Sequence, residues 1–229
     1  MASIAENLHQ VRLRIAAACA QAQRDVDEIT LLAVSKTCPA EAVRQALAAG
    51  QRAFGENYVQ EGLAKIEALA DRRADLRWHL IGPLQANKTR AVAEQFDWVH
   101  SVDRLRIAQR LNDQRPAGLP PLQVCLQVNI SAEASKSGVM PADLPELARA
   151  VARLPRLRLR GLMAIPEPAE GLAAQQAPHR SLRQLAEALR AAGLALDTLS
   201  MGMSADLEAA VREGSTLLRI GTAVFGARA

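Results

Sequence analysis

The sequence predicts an α/β fold, a single (β/α)8 barrel of the TIM type, on three observations. Short apolar segments alternate eight times with Ala- and Leu-rich segments whose apolar residues recur at three- and four-residue steps. Parallel strands need crossover helices, and eight such units close a barrel. The length of 229 residues lies near the lower end for this fold. An open, doubly wound sheet is the alternative, but the G-x-G-x-x-G turn typical of that fold does not occur.

The elements follow in order along the chain, and we expect them to form one domain over residues 1–229. A segment at about residues 2–24 is predicted to be an amphipathic helix, because apolar residues recur at helical spacing from Ile4 to Ile15. Two later helical segments end at Gly50 and Gly193, the usual kind of helix stop. The predicted strands are Ile29–Ser35, Arg52–Glu56, Arg77–Gly82, Asp97–Val102, Leu122–Ile130, Leu157–Ile165, Leu196–Gly202 and Leu217–Gly226.

The composition is that of an ordinary globular protein, with 49% hydrophobic and 23% charged residues. No apolar run is long enough to cross a bilayer, and charges throughout the N-terminal segment argue against a signal peptide. The cysteines, Cys19, Cys38 and Cys125, are odd in number and scattered, which fits a reducing compartment and no metal cluster. We therefore expect a cytoplasmic protein with no membrane partner and no bound metal.

The net charge of +4 raises the question of nucleic-acid binding. The arginines of residues 153–161 alternate with leucine instead of forming a continuous basic block. With only 3% aromatic residues, the chain offers little for bases to stack on. Solvated helix and strand faces explain these arginines better, so we expect no nucleic-acid partner.

Lys36 follows the first apolar strand directly, so in a barrel it lies at the carboxyl end of the strands, where chemistry gathers. One interpretation is a rim lysine whose stem lies along apolar neighbours while its ammonium reaches water. The other is a Schiff-base lysine, desolvated so that its neutral amine attacks a carbonyl group. The choice between them depends on the residues that surround Lys36.

The last two strand ends carry features that suit a phosphate group. Gly221 allows close backbone approach, and Thr222 adds a hydroxyl and an amide. Ser204 is predicted to be the N-cap of the next-to-last helix, where amides would face an anion. Simple capping and chain turning are the alternatives for these residues, although loops after strands seven and eight of such barrels often bind phosphate. A phosphate cup opposite an inward lysine is the combination that pyridoxal 5′-phosphate (PLP) needs.

Other residues near strand ends give weaker signals. Arg219 precedes Gly221 by two positions and, if buried, needs either a cofactor's ring nitrogen or a carboxylate from a neighbouring strand as its partner. His79 and His100 lack the spaced cysteines or carboxylates of a metal site. Cys38 has no histidine partner in the sequence, which argues against nucleophilic catalysis by its thiol.

Seven segments of the chain resemble one family, in order: AVSKT, FGENYVQE, WHLIGPLQANK, VNISAEASKSG, GLMAI, LSMGMSADLEAAV and GSTLLRIGTAVFG. They cover nearly all of residues 29–226 and resemble the pyridoxal phosphate homeostasis proteins, once called proline synthetase co-transcribed homologues. The resemblance implies one barrel like the N-terminal domain of alanine racemase, the third fold type of PLP proteins. It also implies a carrier or regulator of vitamin B6 pools, which affects amino-acid and keto-acid balance without an established reaction.

The resemblance implies roles for six residues and assigns no catalytic residue and no metal ligand. Lys36 in AVSKT matches the lysine that forms the internal aldimine with PLP. Asn57 in GENY matches a residue near the cofactor ring, and Arg219 matches the arginine that faces the pyridine nitrogen. The phosphate-binding set matches Ser204, Gly221 and Thr222.

Two further positions carry no assigned role. Cys38 stands where we would expect lysine or another polar residue, which affects the loop after Lys36 and not cofactor binding itself. Lys136 in SKSG is another position that resembles the family.

Three function classes stay open. The first is a binding protein that holds PLP on Lys36 and stores it or transfers it to apo PLP-dependent enzymes. The second is a PLP-dependent amino-acid racemase or decarboxylase, and the third is a Schiff-base aldolase that acts on a sugar phosphate without a cofactor.

We expect a monomer or weak dimer and poor catalysis. Alanine racemase uses a tyrosine base from a second domain of its partner subunit, and the present chain ends at Ala229, shortly after the eighth strand. The only tyrosine is Tyr58, for which packing under its loop is the alternative to a catalytic role.

Overall fold

Eight parallel strands close into a barrel in chain order, which confirms the predicted fold class and excludes the open sheet. The structure, a computed structural model, describes residues 2–131 and 137–226. The strands are β1 (Thr30–Val34), β2 (Ala53–Glu56), β3 (Arg77–Leu80), β4 (Trp98–Val102), β5 (Leu122–Gln127), β6 (Leu157–Met163), β7 (Thr198–Ser200) and β8 (Leu217–Ile220). The ring closes where β1 pairs with β8, with Thr30 opposite Leu217 and Ala33 opposite Ile220.

A helix precedes β1, and a helix follows every strand. Within the described ranges the helices are α1 (Ile4–Gln21), α2 (Ala40–Ala48), α3 (Val59–Ala68), α4 (Thr89–Gln95), α5 (Leu105–Gln114), α6 (Leu144–Ala152), α7 (Leu172–Ala191), α8 (Leu207–Arg212) and α9 (Thr222–Phe225). Short 3₁₀ helices lie at Val26–Glu28, Ala70–Asp75 and Ala86–Lys88. The alternation of strand and helix is therefore the one that the apolar periodicity predicts.

The strands are largely buried, as parallel strands enclosed by helices must be. All four residues of β8 are buried, and Phe54 and Trp78 pack with ring centroids 5.9 Å apart. The outer helices turn an apolar face toward the strands, as α5 does with Ile107 and Leu111. Every strand contributes buried residues to the core, which therefore extends around the whole ring. Burying one large apolar side chain contributes about 1.5–3 kcal/mol.

Helix α1 covers a part of the barrel that the four-residue helix α9 is too short to cover. Its buried apolar residues, from Leu8 to Cys19, face inward, and the helix contacts α2, α8 and α9. A capping box starts it, in which the Ser3 hydroxyl accepts from the Glu6 amide and the Glu6 carboxylate accepts from the Ser3 amide. The helix predicted at about residues 2–24 is thus present but shorter at both ends.

Most of the predicted strands extend too far at their carboxyl ends. The third ends at Leu80 instead of Gly82, the fifth at Gln127 instead of Ile130 and the sixth at Met163 instead of Ile165. The seventh ends at Ser200 instead of Gly202, and the eighth ends at Ile220 instead of Gly226. The apolar run beyond Ile220 was too short to show its helical period, and it forms α9 with Val224 buried. The extra residues therefore belong to the loops and helix start that surround the open end of the barrel.

The two predicted helix stops are confirmed. Gly50 follows α2 with φ 84° and Gly193 follows α7 with φ 92°, a backbone conformation that favours glycine. Across the described residues, no helix has both the length and the apolar character that crossing a membrane requires.

Candidate functional site

A cavity of about 670 Å³ opens at the carboxyl ends of the strands. This is the end at which barrel sites form, and the volume is in the range of small-molecule pockets. Because β7, β8, β1 and β2 are consecutive in the ring, the residues at their ends meet on one side of the cavity. The six predicted site residues all line it: Lys36, Asn57, Ser204, Arg219, Gly221 and Thr222.

Lys36 is half-buried in the cavity wall, two residues beyond the end of β1. The chain turns directly after it, because Thr37 has φ 65°, which is uncommon for a β-branched residue. The Thr37 amide donates to Glu61 Oε1 over 2.5 Å, and this hydrogen bond stabilises the turn. The backbone after Lys36 is thus fixed in a strained conformation by a side chain of α3.

A buried ion cluster lies behind Lys36. Lys65 Nζ donates to the Ser35 carbonyl oxygen over 2.6 Å and to Glu56 Oε1 over 2.8 Å. It also donates to Glu61 Oε1 over 2.7 Å, so the three hydrogens of the ammonium each have an acceptor. The Ser35 hydroxyl donates to Glu56 Oε1 over 2.5 Å. Together with the bond from Glu61 to the following turn, the cluster holds the backbone on both sides of Lys36.

The loop after β7 is organised by a residue other than the predicted one. The prediction that Ser204 caps the next helix is wrong, because α8 begins at Leu207 with Asp206 at its N-cap. Asp206 Oδ1 accepts from the Met203 amide over 2.7 Å, and Oδ2 lies 2.8 Å from Nε2 of the buried His179. Burial acts to raise the pKa of Asp206, but these hydrogen bonds lower it below its ordinary value, so the carboxylate is ionised. Ser204 is left in the cavity wall.

Backbone amides with no protein acceptor lie beside the cavity. In residues 2–131 and 137–226, the amides of Ser204, Ala205 and Thr222 donate to no backbone or side-chain group. Gly221 separates Thr222 from β8, and a side chain at Gly221 would meet the Val34 carbonyl oxygen at 3.2 Å, a tight contact. Unpaired amides with a neighbouring hydroxyl are the donors that an anion binds in proteins.

Arg219 is buried in the cavity floor, with 4% of its surface exposed. Its Nη1 donates to the Ser200 carbonyl oxygen over 2.5 Å and to Ser200 Oγ over 2.8 Å, and Nη2 donates to the Ala164 carbonyl oxygen over 2.9 Å. The carboxylate partner that a structural ion pair needs is not found among the described residues. Burial lowers the pKa of Arg219 to about 10, so the side chain is still a cation at neutral pH.

Ser200 links Arg219 to two histidines in the barrel interior. Its Oγ lies 2.8 Å from His100 Nδ1, and His100 Nε2 lies 2.9 Å from His79 Nδ1. Burial lowers the pKa of His79 to about 3 and that of His100 well below its ordinary value, so both rings are neutral. In the part of the chain that the structure describes, no three His, Cys, Asp or Glu side chains are placed to hold a metal ion.

The loops after β5 and β6 form part of the cavity wall, which our sequence reasoning did not assign to the site. Gln127, Asn129 and Glu167 bring polar groups to it. The available signal was a polar residue close to the end of each predicted strand, Asn129 in VNIS and Glu167 in AIPEP.

The remaining candidates differ in their placement. Lys136 lies outside the described residues, and Cys38 Sγ lies 3.7 Å from the Lys36 carbonyl oxygen in the turn after β1. Tyr58 does not pack under its loop, because 61% of its surface is exposed.

Comparison with known proteins identifies the class to which this fold and cavity belong. The family model for the alanine racemase N-terminal domain matches residues 7–229. The pyridoxal phosphate homeostasis protein of Pseudomonas aeruginosa is 64% identical over 100% of this chain and 97% of its own length. That of Escherichia coli K12 is 59% identical over 100% of this chain and 98% of its own. The chain therefore belongs to the alanine racemase N-terminal domain family and, within it, to the pyridoxal phosphate homeostasis proteins.

Solved structures agree with this assignment. PipY of Synechococcus elongatus, solved with PLP bound, is 41% identical, has a TM-score of 0.85 and is matched over 98% of this chain and 100% of its own. Alanine racemase from Corynebacterium glutamicum is 16% identical with a TM-score of 0.67, and the match covers 96% of this chain and 59% of the racemase. The racemase comparison supports the shared barrel fold alone.

Proposed function

We propose that this protein binds PLP in the cavity as a Schiff base on Lys36 and takes part in PLP homeostasis by storing the cofactor and transferring it to apo-enzymes. The observation that carries the proposal is the meeting of a lysine, a set of unpaired amides and a buried arginine in one cavity. PLP has an aldehyde, a phosphate and a ring nitrogen. The lysine is the partner for the aldehyde, the amides for the phosphate and the arginine for the ring nitrogen. The relative PipY, 41% identical, binds PLP according to its solved structure.

The lysine fits the aldehyde. Lys36 lines the cavity, whereas the ammonium of the nearby Lys65 is occupied by three acceptors and is 5% exposed. A lysine that attacks an aldehyde in the cavity must itself reach the cavity, and Lys65 is not among the residues that line it. The lining of the cavity therefore favours Lys36 over Lys65 for the Schiff base.

The loops after β7 and β8 fit the phosphate. The unpaired amides of Ser204, Ala205 and Thr222 and the hydroxyl of Thr222 supply donors at one end of the cavity. Hydrogen bonds to a charged group are worth about 1.5–3 kcal/mol each, so these donors favour a phosphate over a neutral group. We call this set, with Gly221, the phosphate cup.

The arginine fits the ring nitrogen. Arg219 is a buried cation held by Ser200 and by carbonyl oxygens, with no carboxylate against it in the described ranges. A fixed donor of this kind stabilises a ring nitrogen that keeps its lone pair. When bound, PLP supplies the electron-withdrawing ring of its chemistry, and a cation at the nitrogen weakens that property. Asn57 also lines the cavity, which supports a contact between its side chain and the ring.

The site suits a protein that stores and releases a cofactor. The wall residues Ile165 and Met203 have 45% and 36% of their surfaces exposed, so the cavity reaches solvent between them. Because the cavity is open to solvent, water can hydrolyse the imine bond, which returns the aldehyde to the cofactor and the amine to Lys36, and the cofactor can then leave without a large rearrangement. We infer apo PLP-dependent enzymes as recipients.

Borohydride reduction followed by peptide mass mapping tests the proposal. The protein incubated with PLP is expected to show a visible absorbance band that reduction removes, with the pyridoxyl group on the peptide that contains Lys36. Lys36→Ala should lose the band while Lys88→Ala keeps it. A pyridoxyl group chiefly on Lys65, Lys88 or Lys136 would contradict the assignment, and protein without any such band would favour a cofactor-free aldolase.

A further inference from the structure

Helix α1 lies outside the eight strand–helix units, yet it bonds to both segments that carry the phosphate cup, the loop after β7 and the short helix α9. Arg14 Nη1 donates to the Ser204 carbonyl oxygen over 2.8 Å. About two turns earlier on the same helix, Asn7 Nδ2 donates to the Val224 carbonyl oxygen over 3.0 Å. Val224 lies in α9, the short helix that begins at Thr222. One helix therefore contacts the two segments that carry the unpaired amides.

Arg14 is itself held in a fixed orientation. Its Nε and Nη2 donate to Oε1 and Oε2 of Glu208 over 2.6 and 2.7 Å. Two parallel hydrogen bonds from a guanidinium to a carboxylate fix its plane as well as its position. Glu208 lies in the first turn of α8, directly after the Ser204 loop. The guanidinium therefore joins the loop, α8 and α1 at one point.

The bond to Ser204 sets the direction of a cup donor. The Ser204 carbonyl and the Ala205 amide belong to one planar peptide unit, in which the oxygen and the hydrogen point in opposite directions. Arg14 holds the oxygen toward α1, on the outside of the barrel. The Ala205 amide then points away from α1, and Ala205 lines the cavity. Within the described residues, no other donor bonds to the Ser204 carbonyl oxygen, so the orientation of this peptide unit depends on Arg14.

We propose that Arg14 and Asn7 are positioning residues for the phosphate cup, so that helix α1 sets the preference of the site for phosphorylated over unphosphorylated forms of the vitamin. This inference rests on the proposed function. Helix α1 forms none of the cavity wall. Its proposed role is to position the cup, so it affects only the phosphate end of the ligand.

The ratio of the Kd for pyridoxal to the Kd for PLP tests the inference, because the two ligands share an aldehyde and a ring and differ in the phosphate. Arg14→Met is expected to weaken PLP binding about tenfold, roughly the loss of one hydrogen bond to a charged group, and to leave pyridoxal binding unchanged. Asn7→Ala should change the ratio in the same direction. Arg12→Met is the matched control, since Arg12 on the same helix donates to the Ala49 carbonyl oxygen over 3.2 Å, away from the cup.

A double variant separates positioning from simple charge. Arg14→Met leaves Glu208 as an unpaired anion near the phosphate, whereas Arg14→Met with Glu208→Gln removes both charges. The double variant is expected to keep the lowered ratio. A ratio restored to that of the wild type would show that charge repulsion caused the effect and would overturn the positioning role.

The remaining outcomes also decide between the two proposals. If the wild type prefers PLP and Arg14→Met has the same ratio, the inference is wrong and the proposed function stands. If Arg14→Met weakens both ligands equally, α1 supports the fold in general and the inference is again wrong. Equal affinity of the wild type for PLP and pyridoxal would overturn the phosphate cup, and the inference with it.

Discussion

The ammonium of Lys65 donates to the carbonyl oxygen of Ser35 over 2.6 Å, so the residue directly before Lys36 is bonded to helix α3. The same ammonium bonds to Glu56 and Glu61, and these three charged groups form a largely buried cluster. A buried ion pair adds little stability compared with an apolar pair of the same shape, but its two halves depend on each other strongly. The cluster is therefore better explained by the backbone that it fixes than by the stability that it adds.

Replacing Lys65 with methionine should destabilise the protein strongly. Burial already raises the pKa of Glu56, which is 0% exposed, so without its cation this carboxyl must either stay charged or take up a proton, and breaking a buried pair in this way costs about 3–5 kcal/mol. The free energy of unfolding in urea measures the loss. Lys65→Met with Glu56→Gln should recover part of it, because the fully buried side chain at position 56 is then neutral and only the partly exposed Glu61 has lost its cation. Lys88→Met, at a lysine for which no ion pair is found in the described ranges, should change stability little, and a Lys65→Met loss below about 1 kcal/mol would contradict the argument.

The cluster also shows what the sequence could and could not predict. Lys36 was predictable because a strand end is a local feature, and in a closed barrel every strand end faces the same cavity. Lys65 was not, since a lysine in an amphipathic helix is usually solvated and only the packing of α3 on β2 buries it beside Glu56. Ser204 and Asp206 are both good capping residues, and the choice between them depends on His179, which is distant in the chain.

Gly82→Ala should disturb the cavity wall at Asn57. A β-carbon at position 82 would overlap the Asn57 carbonyl oxygen, which is backbone and cannot rotate away. We expect a loss of roughly 1–3 kcal/mol or more in stability and weaker PLP binding. Gly118→Ala is the control, because no atom lies within 4 Å of a β-carbon there. Wild-type stability in Gly82→Ala would show that the loop after β2 adapts easily.

Thr222→Val should weaken PLP binding while keeping the shape of the cup. The substitution removes one hydroxyl donor and no volume, so the expected loss is that of a hydrogen bond to a charged group, about tenfold or more in Kd. Pyridoxal, which has no phosphate, should bind Thr222→Val and the wild type equally, and titration with both ligands measures the difference. A loss of equal size for both ligands would place Thr222 away from the phosphate.

Stability should fall as the pH drops below about 6.5, because of the buried histidines. An unfolded histidine has a pKa of 6.5, whereas burial lowers the pKa of His79 to about 3 in the folded state. Between these values the unfolded chain binds a proton that the folded chain does not, so the stability contribution is full above 6.5 and declines toward 3. Each such histidine gives a slope of about 1.4 kcal/mol per pH unit, and the lowered pKa of His100 adds to it.

Urea unfolding between about pH 6 and pH 5, at one fixed state of cofactor loading, measures this slope. His79→Gln should flatten it by about 1.4 kcal/mol per pH unit, although the variant is less stable overall. His9→Gln, at an exposed position of α1, is the control and should keep the wild-type slope. Equal slopes for His79→Gln and the wild type would show that His79 is protonated alike in both states.

The loaded protein should be a poor amino-acid racemase or decarboxylase. Racemisation needs a base on each face of the bound amino acid, and Lys36 serves only one. Tyr58, the only tyrosine of the chain, has 61% of its surface in solvent and is not among the residues that line the cavity. Arg219 adds a second reason, because a cation with a pKa of about 10 disfavours protonation of a ring nitrogen that faces it. An unprotonated ring withdraws electrons from a substrate carbanion less strongly.

We therefore expect turnover of L-alanine and other common amino acids to be absent or far below about 1 s⁻¹, while apo PLP enzymes gain activity when mixed with the loaded protein. Chiral analysis of the amino acid and the activity of a recipient enzyme measure the two results. Tyr58→Phe should change neither, because the phenol is not part of the site. A kcat of about 1–10³ s⁻¹ that disappears in Tyr58→Phe would identify Tyr58 as the second base and the protein as a racemase.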